Sequence, residues 1–280
     1  VTHILCLIAN PADPVLDEAA IAAVREALAI DAEPAWLAPG IAADLALGKT
    51  NAVPAKEIEA RAREALGALP VDIGIVPTAG RAKRILVADM DSTIIGQECI
   101  DELADFVGLR DEISAITERA MLGQLAFEES LRQRVALLRG LAATAIDEVL
   151  AERIAVTPGA RMLVETMRAH GAHAALVSGG FTAFTAPVAK AVGFDEAFAN
   201  ELVLDGDYLA GFVEEPLRGR EAKLQALVEF AKRHHVPLAD TLAVGDGAND
   251  LGMIEAAGLG VAYRAKPAVA AAAKVRIEHG

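Results

Sequence analysis

Hydrophobic positions divide the chain into two stretches of different rhythm. The first opens with the apolar run His3-Ile4-Leu5-Cys6-Leu7-Ile8-Ala9, which reads as a buried strand. Ile21, Val24 and Leu28 follow at helical spacing, and weaker apolar patches lie at Trp36-Leu37 and from Ala42 to Leu47. A second amphipathic helix runs from about Pro54 to Leu69, with Pro54 suited to a first turn. Val71-Asp72-Ile73-Gly74-Ile75-Val76 reads as a further strand. These elements predict a small α+β unit of βαββαβ order over residues 1–76. Pro77-Thr78-Ala79-Gly80-Arg81 has linker composition, and the linker is placed at 77–83.

From Arg84 the rhythm changes. The strand Ile85 to Ala88 is followed by helical spacing without interruption: Leu103, Phe106 and Val107, then Ile113, Ile116 and Ala120, then Leu131, Val135 and Leu138, then Ile146, Val149 and Leu150. After Thr157-Pro158-Gly159 helices and strands alternate. Helix 160–170 leads to strand Ala174 to Val177, and helix 182–192 to strand Glu196 to Asn200. A hairpin spans Leu202 to Val213 around Asp205-Gly206-Asp207. Helix 219–235 leads to strand Leu242 to Val244, and helix 248–257 to strand Leu259 to Ala262. Repeated helix–strand units imply an α/β fold with a parallel, Rossmann-like sheet over 84–280. The helical stretch, about 98–155, interrupts it after its first strand and is expected to sit above the strand ends as a cap.

The chain has 280 residues, 54% of them hydrophobic, enough for one large or two medium domains. Its formal charge of -14 and lack of a basic stripe argue against nucleic-acid binding. Cys6 and Cys99 lie far apart without metal-ligand spacing, so no disulfide framework is expected and a reducing cytoplasm fits. No apolar run reaches the roughly 18 residues of a membrane span. The start lacks the pattern of a signal peptide. The histidines, including His234 and His235, flank helices and are read as surface residues.

Polar groups that could carry chemistry fall at strand ends or early in a helix. Asp89-Met90-Asp91-Ser92-Thr93 follows the first core strand. Open α/β sheets place ligand groups at such ends. One aspartate could attack phosphorus as an ionised nucleophile, while the other, crowded by its neighbour, keeps a proton for the leaving group. Taken alone, Asp-x-Asp after a strand reads better as a turn or a helix cap than as a catalytic pair. Asp246 in Gly245-Asp246-Gly247-Ala248-Asn249-Asp250 stands at another strand end. Carboxylates brought together need a cation, and hard oxygen ligands suit Mg²⁺. Asn249 and Asp250 could orient its surroundings. Ser178 and Gly179 could donate to phosphate oxygens at a helix start. Lys223, one turn into a helix, could neutralise phosphate; on its own it would be a solvated surface lysine.

In this order, Asp-x-Asp-Ser-Thr, Ser-Gly-Gly, Lys and Gly-Asp-Gly-x-Asn-Asp resemble the haloacid dehalogenase superfamily of phosphotransferases. Asp91 to Ala104 and Met121 through Phe127 to Val135 resemble, within it, the phosphoserine phosphatase family. The likeness covers about residues 84–275, and members often carry an ACT-like unit at the start, where this chain has residues 1–76. The resemblance implies that Asp89 is the nucleophile forming an aspartyl-phosphate, and that Asp91 is general acid, then base. It implies Mg²⁺ held by Asp89, the backbone carbonyl of Asp91, and Asp246. Ser178, Gly179 and Lys223 would hold the phosphoryl group, with Asn249 assisting and Asp250 supporting the metal's water shell. Glu98 would receive the substrate ammonium and Arg134 its carboxylate, a planar fork suited to that group. Arg132 nearby is the surface comparison. Met121 and Phe127 could wall off water or simply pack within the cap. Met90 stands where many relatives have an aromatic residue and is expected to pack.

The implied activity is Mg²⁺-dependent hydrolysis of phosphoserine, the last step of serine biosynthesis. Two alternatives remain open at this point. One is action on another small phosphorylated amine or alcohol, including transfer to homoserine. The other is an amino-acid-sensing protein with an inactive phosphatase fold, against which the intact Asp89, Asp91, Lys223 and Asp246 argue. An ACT-like unit implies a homodimer and an amino acid bound at residues 1–76.

Overall fold

The structure, a computed structural model, describes residues 3–48, 53–121 and 124–280. The first unit contains β1 (His3–Ala9), α1 (Glu18–Leu28), β2 (Ala35–Ala38), β3 (Ala42–Ala46), α2 (Ala55–Leu66) and β4 (Val71–Pro77). Its strands lie in the order β2-β3-β1-β4, each antiparallel to its neighbour. Alternation in β1 sends Leu5, Leu7 and Ala9 into one core with Val24 and Leu28 of α1 and Ile58 and Ala62 of α2. The carboxylate of Asp17 caps α1 by accepting the N–H of Ala20 at 2.8 Å.

The second unit begins with β5 (Ile85–Ala88), followed by α3 (Cys99–Phe106), α4 (Arg110–Met121), α5 (Phe127–Leu137) and α6 (Thr144–Glu152). The alternation follows: α7 (Ala160–Ala169), β6 (His173–Phe181), α8 (Thr182–Val192), β7 (Glu196–Asn200) and a hairpin of β8 (Leu202–Asp205) and β9 (Tyr208–Val213). Next come α9 (Arg220–Arg233), β10 (Thr241–Gly245), α10 (Leu251–Ala256), β11 (Leu259–Tyr263), α11 (Pro267–Ala272) and β12 (Val275–Ile277). β12-β11-β10-β5-β6-β7 run parallel. β5 is buried on both faces. Leu86 and Ala88 join the core shared with the cap, and Ile85 and Val87 join the one beneath Phe230 and Met253. β6 lies on one side of β5 and β10 on the other, so the strand order reverses there, which is where open sheets gather ligand groups.

The cap, α3 to α6, leaves and rejoins the core through two paired segments. Gly96 N–H donates to the Ala155 carbonyl at 3.1 Å, and Thr157 N–H to that of Ile94 at 2.9 Å. The loop between α5 and α6 pairs with the hairpin, Leu209 N–H donating to the Leu141 carbonyl at 2.8 Å.

Several expectations need correction. The strand expected to end at Val177 continues to Phe181, carrying Ser178 and Gly179 inside it. The helix expected over 248–257 is a tight turn at Ala248–Asp250 followed by α10. β12 was unforeseen, and it pairs with both β11 and β4, so the two units share one ten-stranded sheet. His234 is half-buried rather than a free surface residue, its ring stacked 3.7 Å from that of His173. Met90 is fully buried, as its apolar character required.

Candidate active site

The carboxyl ends of β5, β6 and β10 bring the sequence-predicted residues together. Asp89 continues β5 by one hydrogen bond, its N–H donating to the Val244 carbonyl at 3.0 Å. The chain then turns sharply over Met90–Ile94, where Ser92 takes a φ of 55°, in the left-handed region. The turn separates the two aspartates. Asp89 faces Lys223, whose ammonium lies 2.7 Å from Asp89 Oδ1 and 2.6 Å from Asp250 Oδ1. All three side chains are buried. Asp91 faces the other way, accepting the Ser178 hydroxyl at 3.0 Å and the Cys99 N–H at 2.9 Å.

Asp246 and Asp250 complete the acidic cluster. One carboxylate oxygen from each of Asp89, Asp246 and Asp250 lies within 4.8 Å of the others. The Thr93 hydroxyl donates to Asp246 Oδ1 at 2.9 Å. Asp250 Oδ2 accepts the N–H groups of Asp246, at 3.1 Å, and Gly247, at 2.9 Å. With Oδ1 taken by Lys223, Asp250 shapes the loop, leaving Asp89 and Asp246 the freer donors. Gly245 is required for this wrap, because a Cβ there would sit 2.4 Å from Asp250 Cγ. Asn249 is half-buried, its Oδ1 packed over the backbone of Gly247.

Burial pushes the Asp89 carboxyl well above the usual carboxylate range, and Asp250 adds to this while Lys223 opposes it. Burial likewise raises Asp246. For Lys223 burial favours the neutral amine, but Asp89 and Asp250 outweigh it and hold the ammonium protonated. Three carboxylates around one ammonium leave a net negative pocket of hard oxygen donors. That fits a divalent cation among the described residues.

On the cap side, the Ser92 hydroxyl donates to Glu98 Oε1 at 2.7 Å. Glu98 is open to the water of the cleft but ringed by protein, and this desolvation, helped by Asp91, pushes its carboxyl up to about 7. Arg134, half-buried on α5, donates through Nε to the Ser130 carbonyl at 3.3 Å and through Nη1 to Thr117 Oγ1 at 3.4 Å. Burial lowers its pKa, and Asp101, Glu98 and Asp91 act on it in the opposite sense. Neither Glu98 nor Arg134 has an ion-pair partner among the described residues. Arg132, by contrast, points outward to Glu215 at 2.7 Å. Phe127 packs over Gly179, where a Cβ would come 2.9 Å from its ring. The Met121 side chain lies outside the described residues.

Sequence reasoning missed Asn200. Its buried amide donates to the Gly179 carbonyl at 2.9 Å and accepts the Arg218 N–H at 2.7 Å, joining the Ser178 segment to the approach of α9. A polar residue closing the apolar strand β7 was the available signal, the same one that marked Asp89 and Asp246.

A family profile for haloacid dehalogenase-like hydrolases matches residues 86–255. Phosphoserine phosphatase SerB2 of Mycobacterium tuberculosis is 45% identical over 201 residues, 72% of this chain and 49% of that protein. The chain spans between 49% and 62% of the length of three curated relatives it matches. A HAD family hydrolase, t0658, from Salmonella enterica superposes over 99% of this chain and 94% of its own, with a TM-score of 0.85 at 29% identity. A structure described as a phospho-aspartyl intermediate analogue of phosphoserine phosphatase covers 71% of this chain and 94% of its own, with a TM-score of 0.66 at 39% identity.

Proposed function

The chain belongs to the haloacid dehalogenase-like hydrolases, and from that membership we propose that it hydrolyses O-phospho-L-serine to L-serine and phosphate, the closing step of serine biosynthesis. One observation carries the substrate. A carboxylate, Glu98, and a guanidinium, Arg134, both without ion-pair partners among the described residues, stand near Asp91 on the cap side of the cleft. An amino acid's ammonium and carboxylate match that pair in charge and in hydrogen-bonding shape. The relative and the solved structure named for phosphoserine phosphatase support the same reading.

In this reading a carboxylate oxygen of Asp89 attacks phosphorus. The bond from phosphorus to the serine oxygen breaks, and Asp91 gives its proton to that oxygen. Asp91, now a carboxylate, takes a proton from water as the water oxygen attacks the aspartyl-phosphate. The phosphorus–Asp89 bond breaks and phosphate leaves. The Ser178 hydroxyl, the Gly179 N–H and the Lys223 ammonium hold the phosphoryl oxygens, with Asn249 beside them. Asp89, the Asp91 carbonyl and Asp246 would hold Mg²⁺, with Asp250 supporting the loop. When bound, the cation would offset the crowded carboxylates and polarise a phosphoryl oxygen. Phe127, over Gly179, would exclude water above the site.

Release of phosphate from phosphoserine in Mg²⁺, lost in a folded Asp89→Asn variant, is the test. Turnover in that variant equal to the parent's would remove the nucleophile. Phosphohomoserine formed in excess of free phosphate when homoserine is added would make the enzyme a phosphotransferase instead.

A further inference from the structure

The two units meet along a slender joint. β12 pairs with β11 over three residues but with β4 only at Val275 opposite Gly74. Each unit has its own hydrophobic core, so one backbone pair would leave the first unit loosely held. The residues that follow β12 supply what that pair does not. Asp72 Oδ1 accepts the N–H of Glu278 at 3.0 Å, and Oδ2 accepts those of His279, at 3.0 Å, and Gly280, at 2.7 Å. Asn10 Nδ2 donates to the His279 carbonyl at 2.9 Å. Arg276 pairs with Glu59 of α2. On the core side, Arg264 N–H donates to the Ile277 carbonyl at 2.8 Å, fixing the same segment to the end of β11.

Asp72 is the unusual member. It interrupts an otherwise apolar strand and is only 3% exposed. A buried carboxylate without partners is costly, and consecutive N–H groups converging on an anion are an efficient partner for one. The hydrogen bonds of its carboxylate all come from residues more than two hundred positions away. Nothing local in β4 accounts for it.

We infer that residues 275–280 form a docking segment for the first unit and that Asp72 is its receptor. The first unit is then a fixed extension of the catalytic sheet, not a module free to swing on residues 78–83. The superposition of the Salmonella hydrolase over nearly the whole chain, both units together, agrees with a fixed arrangement. Arg81 reinforces it from the connecting segment, reaching back to Asp44 and to Cys6 of the first unit. The docked strand also flanks β11, beyond whose end Lys266 N–H holds the Asp246 carbonyl at 3.0 Å. β11 thus lies between the docked strand and β10, the strand that leads to Asp246.

The test uses the full chain. Asp72→Ala is expected to split one thermal unfolding transition into two, and to speed tryptic cleavage at Arg81, Lys83 or Arg84 by about tenfold or more. Asp72→Asn, which keeps one acceptor oxygen, should fall between, and Asp13→Asn, an exposed carboxylate on the same unit, should match the parent. A single unshifted transition and unchanged cleavage in Asp72→Ala would overturn the inference. If Asp72→Ala does not fold, hydrogen exchange on the parent decides. The amides of residues 278–280 should be protected as well as those of β12, and exchange at free-chain rates would overturn the proposal.

Discussion

Lys223 and Asp89 form a buried ion pair, 2.7 Å from Nζ to Oδ1, in which the lysine also reaches Asp250. The pair sets both the charge of the site and its vulnerability. Removing the ammonium leaves two carboxylates together out of water, and breaking a buried pair in this way typically costs about 3–5 kcal/mol.

Lys223→Met should therefore lose stability as well as activity. The loss of a charge that stabilises the transition state is expected to lower kcat by roughly a hundred- to a thousandfold. Thermal unfolding in EDTA should fall by several degrees, and Mg²⁺ should recover part of that. A Tm equal to the parent's in EDTA would mean that the buried pair does not stabilise the fold.

Mg²⁺ should stabilise the protein more at high pH than at low. Burial raises Asp89 and Asp246, so without a cation each gives up its proton less readily in the folded state than in the unfolded chain. For a carboxyl raised on folding, the contribution to stability is fully present below its unfolded pKa and is lost as pH rises through the folded value. Binding a cation requires the ionised forms. At a hundredfold excess over Kd the gain is about 2.7 kcal/mol. The rise in Tm on adding Mg²⁺ should grow as pH rises above the usual carboxylate range and shrink in Asp246→Asn. A pH-independent rise, equal in both proteins, would place the ion elsewhere.

Glu98 should impose an acid limb on kcat/KM for phosphoserine. Its carboxyl, pushed up to about 7 by desolvation and by Asp91, is neutral below that pH and cannot then pair with an ammonium. The rate should fall as pH drops through about 7, and Glu98→Gln should be lower throughout with that limb flattened. A phosphomonoester lacking the amine carries the same phosphate ionisation, with a pKa of about 6, and should not show the Glu98 limb. Identical limbs for both substrates would assign the limb to phosphate instead.

Arg134→Lys should lower kcat/KM for phosphoserine by roughly ten- to a hundredfold, the worth of a charged hydrogen bond to carboxylate at about 1.5–3 kcal/mol. Phosphoethanolamine, which has no carboxylate, should be turned over equally by parent and variant. Arg132→Ala is the comparison. Its exposed pair with Glu215 is screened by water and contributes little, so its kinetics should match the parent's. Equal losses from Arg132→Ala and Arg134→Lys would show a general effect on the cap.

Much of the site was legible because its residues obey a local rule. Asp89, Ser178 and Asp246 each come at or near the end of an apolar run, and a parallel sheet gathers such ends. The helical spacing between Glu98 and Leu150 marked the cap for the same reason: periodicity reports which face of each element is buried. Asn200 escaped because a single amide closing a strand has no spacing to reveal it. The stacking of His173 on His234 escaped because those rings are brought together from separate elements.

By itself the sequence determined most of the elements, the order of the chemical groups along them and much of the composition of the site, because periodicity and motif spacing are local properties of the chain. Only the tertiary structure decided which way each carboxylate faces: Asp89 toward Lys223, Asp91 toward Ser178, though one residue separates them. Only it joined the two units into one sheet. β12 is three residues long, too short to register as a pattern, and Asp72 finds its partners across more than two hundred residues. Contacts of that separation depend on which surfaces exclude water together, and no local rhythm of hydrophobic and polar positions encodes that.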